Sequence, residues 1–163
     1  MLTSLMEAGG PHSDHQDKLM LFGRLVGSWT VKSYWYDQQK VTSEAEGEWH
    51  FAWILGGRGV QDILFRKDSP LDTYGTTLRC YDSKNDVWQV SWMQPSGGEF
   101  VHLLGRQDGP DIVQQGEGAV QERLERWRFT DIMNDSFLWW GEVSFDKGKT
   151  WTLEQKMEAN RMV

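Results

Sequence analysis

The chain has 163 residues, a formal charge of -7 at pH 7, one cysteine and ten tryptophans. Its length suits one domain with one core and is too short for a propeller of several four-stranded blades. The basic residues are scattered rather than gathered in a stripe, which leaves out the footprint of nucleic-acid binding, and no run of about 18 apolar residues offers a membrane span.

The opening stretch MLTSLMEAGGPHSDHQ has no basic segment leading into an apolar run, so the protein is expected to be soluble and not exported. A single cysteine, Cys80, rules out an internal disulfide and agrees with a reducing, cytoplasmic compartment. Between Arg79 and Tyr81 in a strand pattern it reads as a small buried residue, a catalytic thiol being the other reading.

Residues 1–12 carry Gly9, Gly10 and Pro11 without any period and are expected to form a flexible tail. Ser13 and Gln16 make a capping-box pair ahead of Leu19, Phe22, Leu25 and Val26, which predicts a short amphipathic helix over about residues 14–25. After Gly27 the period changes from 3.6 to 2 and stays there. Trp29, Val31 and Trp35 alternate with polar neighbours in a first strand. Trp49, Phe51 and Trp53 share one face of a second, with Glu44, Glu46, Glu48 and His50 on the other.

A third strand lies in RGVQDILFRK, and further strands are expected over 73–82, 86–94, 98–107, 110–117, 120–130, 135–145 and 150–161. The segments between them, DSKND, PSGG, QDGPD and DKGK, are built from turn residues. About ten strands joined by short hairpins form an antiparallel meander, and closure protects its edges and covers its apolar face. The expected fold is all-β: a single up-and-down barrel over residues 13–163 with the short N-terminal helix across one end.

Two motifs carry resemblances. Gly27–Ser28–Trp29, opening the first strand after a short helix, resembles the G-x-W signature of the calycin superfamily, the lipocalins and fatty-acid-binding proteins. That resemblance implies that Trp29 sits at the closed end and packs against a basic residue of the last strand, for which Arg161 is the candidate. LGGRGVQD at 55–62, YGTTLRCYD at 74–82 and the terminal Arg161 make residues 17–163 similar to a bacterial group of lipocalin-like domains. SFDKGKTW, Ser144–Trp151, resembles the Asp box of sialidases and other propellers. Its Asp and Ser are suited to bracing backbone amides, its Gly to a positive φ and its Trp to packing beneath the turn, so a single copy between two strands is a turn signal rather than a glycosidase mark.

The candidate chemistry lies on the apolar faces. Ser33, His102, Glu125 and Gln155 interrupt them, and buried polar groups need partners or a ligand. Trp35, Trp49, Trp53, Trp92, Trp127 and Trp139 are the candidate walls of a cavity, with His102, Glu125 and Gln155 as anchors; simple core filling is the competing reading of each tryptophan. His102 alternates with Phe100 and Leu104 and reads as a core histidine, a pocket anchor or, as in a related barrel family, an axial haem ligand. His12 and His15 flank Asp14 in a grip too incomplete for a dedicated metal site, so no metal and no cofactor are expected. The expected partner is a small apolar or aromatic molecule, with a homodimer left open. The alternative is a lyase or isomerase using Glu125 or Glu142 close to Arg79.

Overall fold

The computed structural model describes residues 1–117 and 122–163. A helix α1 (Leu2–Met6), a two-residue strand β1 (Glu7–Ala8) and a helix α2 (Gln16–Gly23) precede ten strands. These are β2 (Gly27–Asp37), β3 (Lys40–Ile54), β4 (Gly59–Arg66), β5 (Gly75–Asp82), β6 (Val87–Gln94), β7 (Glu99–Asp108), β8 (Asp111–Glu117), β9 (Leu124–Thr130), β10 (Ser136–Ser144) and β11 (Thr152–Arg161). A short helix α3 (Pro70–Thr73) joins β4 to β5. Residues 120 and 121 of the expected strand 120–130 lie outside the described residues.

Each strand from β2 to β11 pairs antiparallel with the next, and β11 returns to pair with β2, so the meander closes into a barrel. The closing register runs from Gln155↔Trp35 to Arg161↔Trp29. The pairing of β2 with β3 stops at Gly27↔Phe51, and β1 takes up the next stretch of β3 through Ala8↔Trp53 and Glu7↔Ile54. The segment expected to be a flexible tail therefore carries a strand.

The helix at the closed end begins later than the capping-box pattern predicts. His15, at its N-cap, is left-handed, and no side chain caps α2. His12 N–H is instead held by Gly57 O at 3.1 Å, which fixes the approach of the chain and leaves Ser13 without its capping role. Leu19 and Phe22 of α2, with Leu25 just beyond it, are buried, and Phe22 meets Trp88 and Phe129 edge-on at 4.9 and 6.2 Å. The helix thus plugs this end with apolar surface.

The expected clamp is present. The Arg161 guanidinium lies 4.0 Å from the centre of the buried Trp29 ring and donates from Nη1 to Val26 O (2.9 Å) and from Nε to Asn134 O (2.6 Å). Trp29 Nε1 donates to Leu25 O at 2.8 Å. Gly27 has φ +136, and the Arg161 side chain occupies the space of a Cβ there, so both the backbone and the clamp require glycine.

The Asp-box segment braces the β10–β11 turn. Ser144 Oγ accepts from Gly148 N–H and donates to Asp146 Oδ1, both at 2.8 Å, while Asp146 accepts from the Thr150 N–H and hydroxyl. Gly148 has φ +83, and Trp151 turns its face to the Arg126 guanidinium at 4.1 Å. The hydrogen bonds from Thr150 hold the Asp146 carboxyl down at about 2.

Arg161→Ala is expected to lower unfolding free energy by about 2–3 kcal/mol, the scale of one cation–π contact and its charged hydrogen bonds, as read by urea denaturation. The Asp146 carboxylate contributes stability that is fully present above its unfolded value of 3.8 and is lost as pH falls through about 2. The difference in melting temperature between the native chain and Asp146→Ala should therefore shrink between pH 7 and pH 2 in thermal scans.

Candidate functional site

The end opposite α2 is hollow. A cavity of about 490 Å³ opens there, lined by inward side chains of β2 to β7 and β9 to β11 and by the β6–β7 turn. Of the sequence-predicted residues, Trp35, Trp49, Trp92, Trp127, Trp139, Glu125 and Gln155 all line it. The indoles form a connected wall: Trp92 meets Trp127 at 6.4 Å, Trp127 meets Trp139 at 5.7 Å, and Trp139 meets Trp49 at 6.5 Å between ring centres.

Two glycines make room for this wall. Gly75 lies where a Cβ would overlap the Trp92 ring, and a Cβ on Gly141 would come within 2.6 Å of Trp139. Gly141 also pairs with Trp127 on one side and Gln155 on the other, so its missing side chain opens the centre of the β9–β10–β11 wall.

Two expected site residues lie elsewhere. Trp53 is buried against Gly23 of α2, inside the plugged end. His102 is exposed on the outer face, bonded to Ser91 Oγ (3.1 Å) and Gln89 Oε1 (3.0 Å). On β7 it is Val101 and Leu103 that point inward, because β6 and β7 pair as Trp92↔Val101 and Val90↔Leu103. Phe100 and Leu104 give the outer face of β7 an apolar look, so the expected inward phase is one residue off the observed one. The haem reading loses the axial ligand on which it stood, since none of the four histidines lines the cavity.

His12 accepts a contact from Arg58 Nη2 at 2.8 Å, and among the described residues no three His, Cys, Asp or Glu side chains gather as a metal site. Ser33 is buried on the inner face of β2, and Cys80 is half-buried, its thiol pushed up by burial.

The polar groups of the cavity fall into two sets. At depth, Arg79 is 1% exposed and forms an ion pair with the fully buried Asp62, while its Nε donates to Gln114 Oε1 at 3.1 Å. The guanidinium also lies 5.2–5.7 Å from the Phe22, Phe51 and Phe129 rings, between plug and cavity. Among the described residues Trp49 Nε1 and Gln114 Nε2 are buried donors with no acceptor, and of the two residues Trp49 lines the cavity.

Nearer the mouth, Arg123 donates from Nε to Glu125 Oε1 (2.7 Å) and from Nη2 to Glu154 Oε2 (2.6 Å). Trp92 Nε1 donates to Glu99 Oε2 at 3.1 Å. Burial raises the Glu125 carboxyl above its ordinary value, with the Arg123 hydrogen bond and charge acting against the shift. Glu142 is not a neighbour of Arg79: it sits in the outer wall, bonded to Arg126 and Arg128.

Reading the sequence for polar interruptions missed Asp62, Thr77, Arg123, Glu99 and Glu154, and Arg79 entered only as the expected neighbour of Glu125 or Glu142. Asp62 and Arg79 hold inward positions on β4 and β5 opposite apolar neighbours, a signal hidden by the mixed faces of both strands. Thr77 shares the inward face of β5 with Arg79. Arg123, Glu99 and Glu154 lie at or near strand ends, where alternation has too few residues to set a phase.

No family model matches the sequence, and no curated protein matches it. The S-type phycobiliprotein lyase CPES from Guillardia theta superposes with a TM-score of 0.58 at 8% identity, over 93% of this chain and 99% of that one. Rv2717c from M. tuberculosis superposes with a TM-score of 0.54 at 15% identity, over 90% of this chain and 98% of its own.

Asp62→Ala would leave the Arg79 cation buried without its carboxylate and is expected to cost about 3–5 kcal/mol in chemical denaturation. Gly75→Val should displace the Trp92 ring, seen as a changed near-ultraviolet circular dichroism spectrum with the far-ultraviolet spectrum kept. At these levels of identity the likeness is one of fold, and the chain has the calycin-like fold, a closed ten-stranded antiparallel barrel.

Proposed function

We propose that the protein binds a small, largely aromatic molecule in the Trp-lined end of the barrel, as a cytoplasmic binding protein. The observation that carries this reading is the cavity itself: about 490 Å³ of space walled by five tryptophans within a barrel whose other end is filled. Apolar walls with a few convergent polar groups suit a small-molecule site. Indole faces offer stacking and edge contacts to a flat ring, and the Trp49 indole N–H, which lines the cavity, suits an acceptor atom on the leading end of the ligand.

A second reading has one observation in its favour. Glu125 lines the cavity with a carboxyl raised by burial, beside the Arg123 cation, which is the environment of a group that exchanges a proton with a bound molecule. A lyase or isomerase of small molecules would use it so, and Glu125→Gln would then abolish turnover while leaving ligand binding in place. One structural neighbour is named a lyase, which fits the class without assigning the reaction.

Titration with 1-aminoanthracene, a neutral polycyclic arene, tests the binding reading. Saturable quenching of tryptophan emission with a dissociation constant in roughly the micromolar range is expected. Trp127→Ala, which opens the middle of the wall, should weaken it by at least about tenfold. Failure of the native chain to bind this probe or comparable arenes would contradict the reading.

A further inference from the structure

Among the described residues three carboxylates line the cavity, Glu99, Glu125 and Glu154, against two guanidinium groups, Arg79 and Arg123. Neither cation is free. Arg79 is buried with its own carboxylate, Asp62, and Arg123 spans Glu125 and Glu154. The deep pair is neutral as a unit, so the outer part of the cavity holds three negative groups against one positive.

The carboxylates share the cavity lining with the indoles. Glu99 is fixed by the Trp92 indole N–H, and Trp92 begins the connected wall that runs through Trp127 to Trp139. An indole face is the most attractive aromatic surface for a cation, and a carboxylate at the edge of a low-dielectric cavity adds to that attraction. An anion of the same shape meets repulsion from both, and the only cations it approaches are already paired.

Within the ligand-binding reading, on which this rests, we propose that the cavity selects an organic cation: a flat apolar body bearing a quaternary or protonated amine, seated between the indole faces and the carboxylates of the mouth. The uncharged body takes the wall and the ammonium takes the charge. Fatty acids and other carboxylate-headed ligands are selected against.

Calorimetric titration with three ligands of one shape tests this: (1-naphthylmethyl)trimethylammonium, 1-naphthalenemethanol and 1-naphthylacetate. The ammonium compound is expected to bind at least about tenfold tighter than the carboxylate, with the alcohol between them. That gap should narrow at about 1 M salt, where the Debye length is about 3 Å, and in the double variant Glu99→Gln/Glu154→Gln. Binding of the alcohol together with a carboxylate that binds as tightly as the ammonium would overturn the selection while leaving the ligand-binding reading intact. A gap that the double variant leaves unchanged would overturn the role of the mouth carboxylates, and binding of none of the three would overturn both readings.

Discussion

Everything in this molecule depends on the pairing of its last strand, β11, with β2, the first strand of the barrel. The register from Gln155↔Trp35 to Arg161↔Trp29 turns a meander with two exposed edges into a ring, and only a ring has an inside. Arg161 holds that seam at one end, where its guanidinium covers Trp29 and takes up carbonyls from two separate loops. At the other end the Ser144–Trp151 turn delivers β11 into register. The motif that resembles a sialidase signature therefore contributes to closure, through hydrogen bonds that Ser144 and Asp146 accept from the turn's own backbone N–H groups.

Closure divides the interior into two halves with different physics. Around α2 the rings of Phe22, Trp88, Trp29 and Phe137 interlock edge-to-face, and buried residues leave no room. Toward the opposite mouth the inward positions carry tryptophans, glycines and charged groups around a cavity of about 490 Å³. Arg79 marks the boundary. Burying its charge is expensive, and the Asp62 carboxylate, the Gln114 carbonyl and three aromatic faces together offset that cost. The pair gives the cavity a polar floor that an apolar core would lack, and the mouth adds an acidic rim around a single arginine.

Much of the architecture was legible because the signal repeats. Ten segments of period 2 separated by turn chemistry specify a meander, and Gly27, Trp29 and Arg161 mark where it joins. Seven of the nine expected ligand-binding residues line the cavity, since clean alternation on β2, β3, β9 and β10 fixes which face each tryptophan takes. His102 failed for a local reason: β7 is apolar on both faces, and only its pairing with β6 sets the phase. Ser91 and Gln89 on the outer side of β6 are the neighbours that would have placed it correctly. Trp53 failed for another, because alternation says which residues point inward but not how far along the barrel axis they lie. The charged mouth was hidden because strand ends and turns carry no period, and the Asp62–Arg79 pair because its two members are distant in sequence.

In the proposed reading the end of the barrel away from α2 is a receptor for an aromatic ring and not a tightly packed core. Diffraction from crystals soaked with 1-bromonaphthalene tests it directly, since bromine can be located by its anomalous signal. A bromine peak is expected inside the barrel, within contact of Trp127 and Trp139 and above the Arg79–Asp62 pair. Side chains of Trp92, Trp127 and Trp139 that fill that space, with bromine found only on the outer surface, would contradict it.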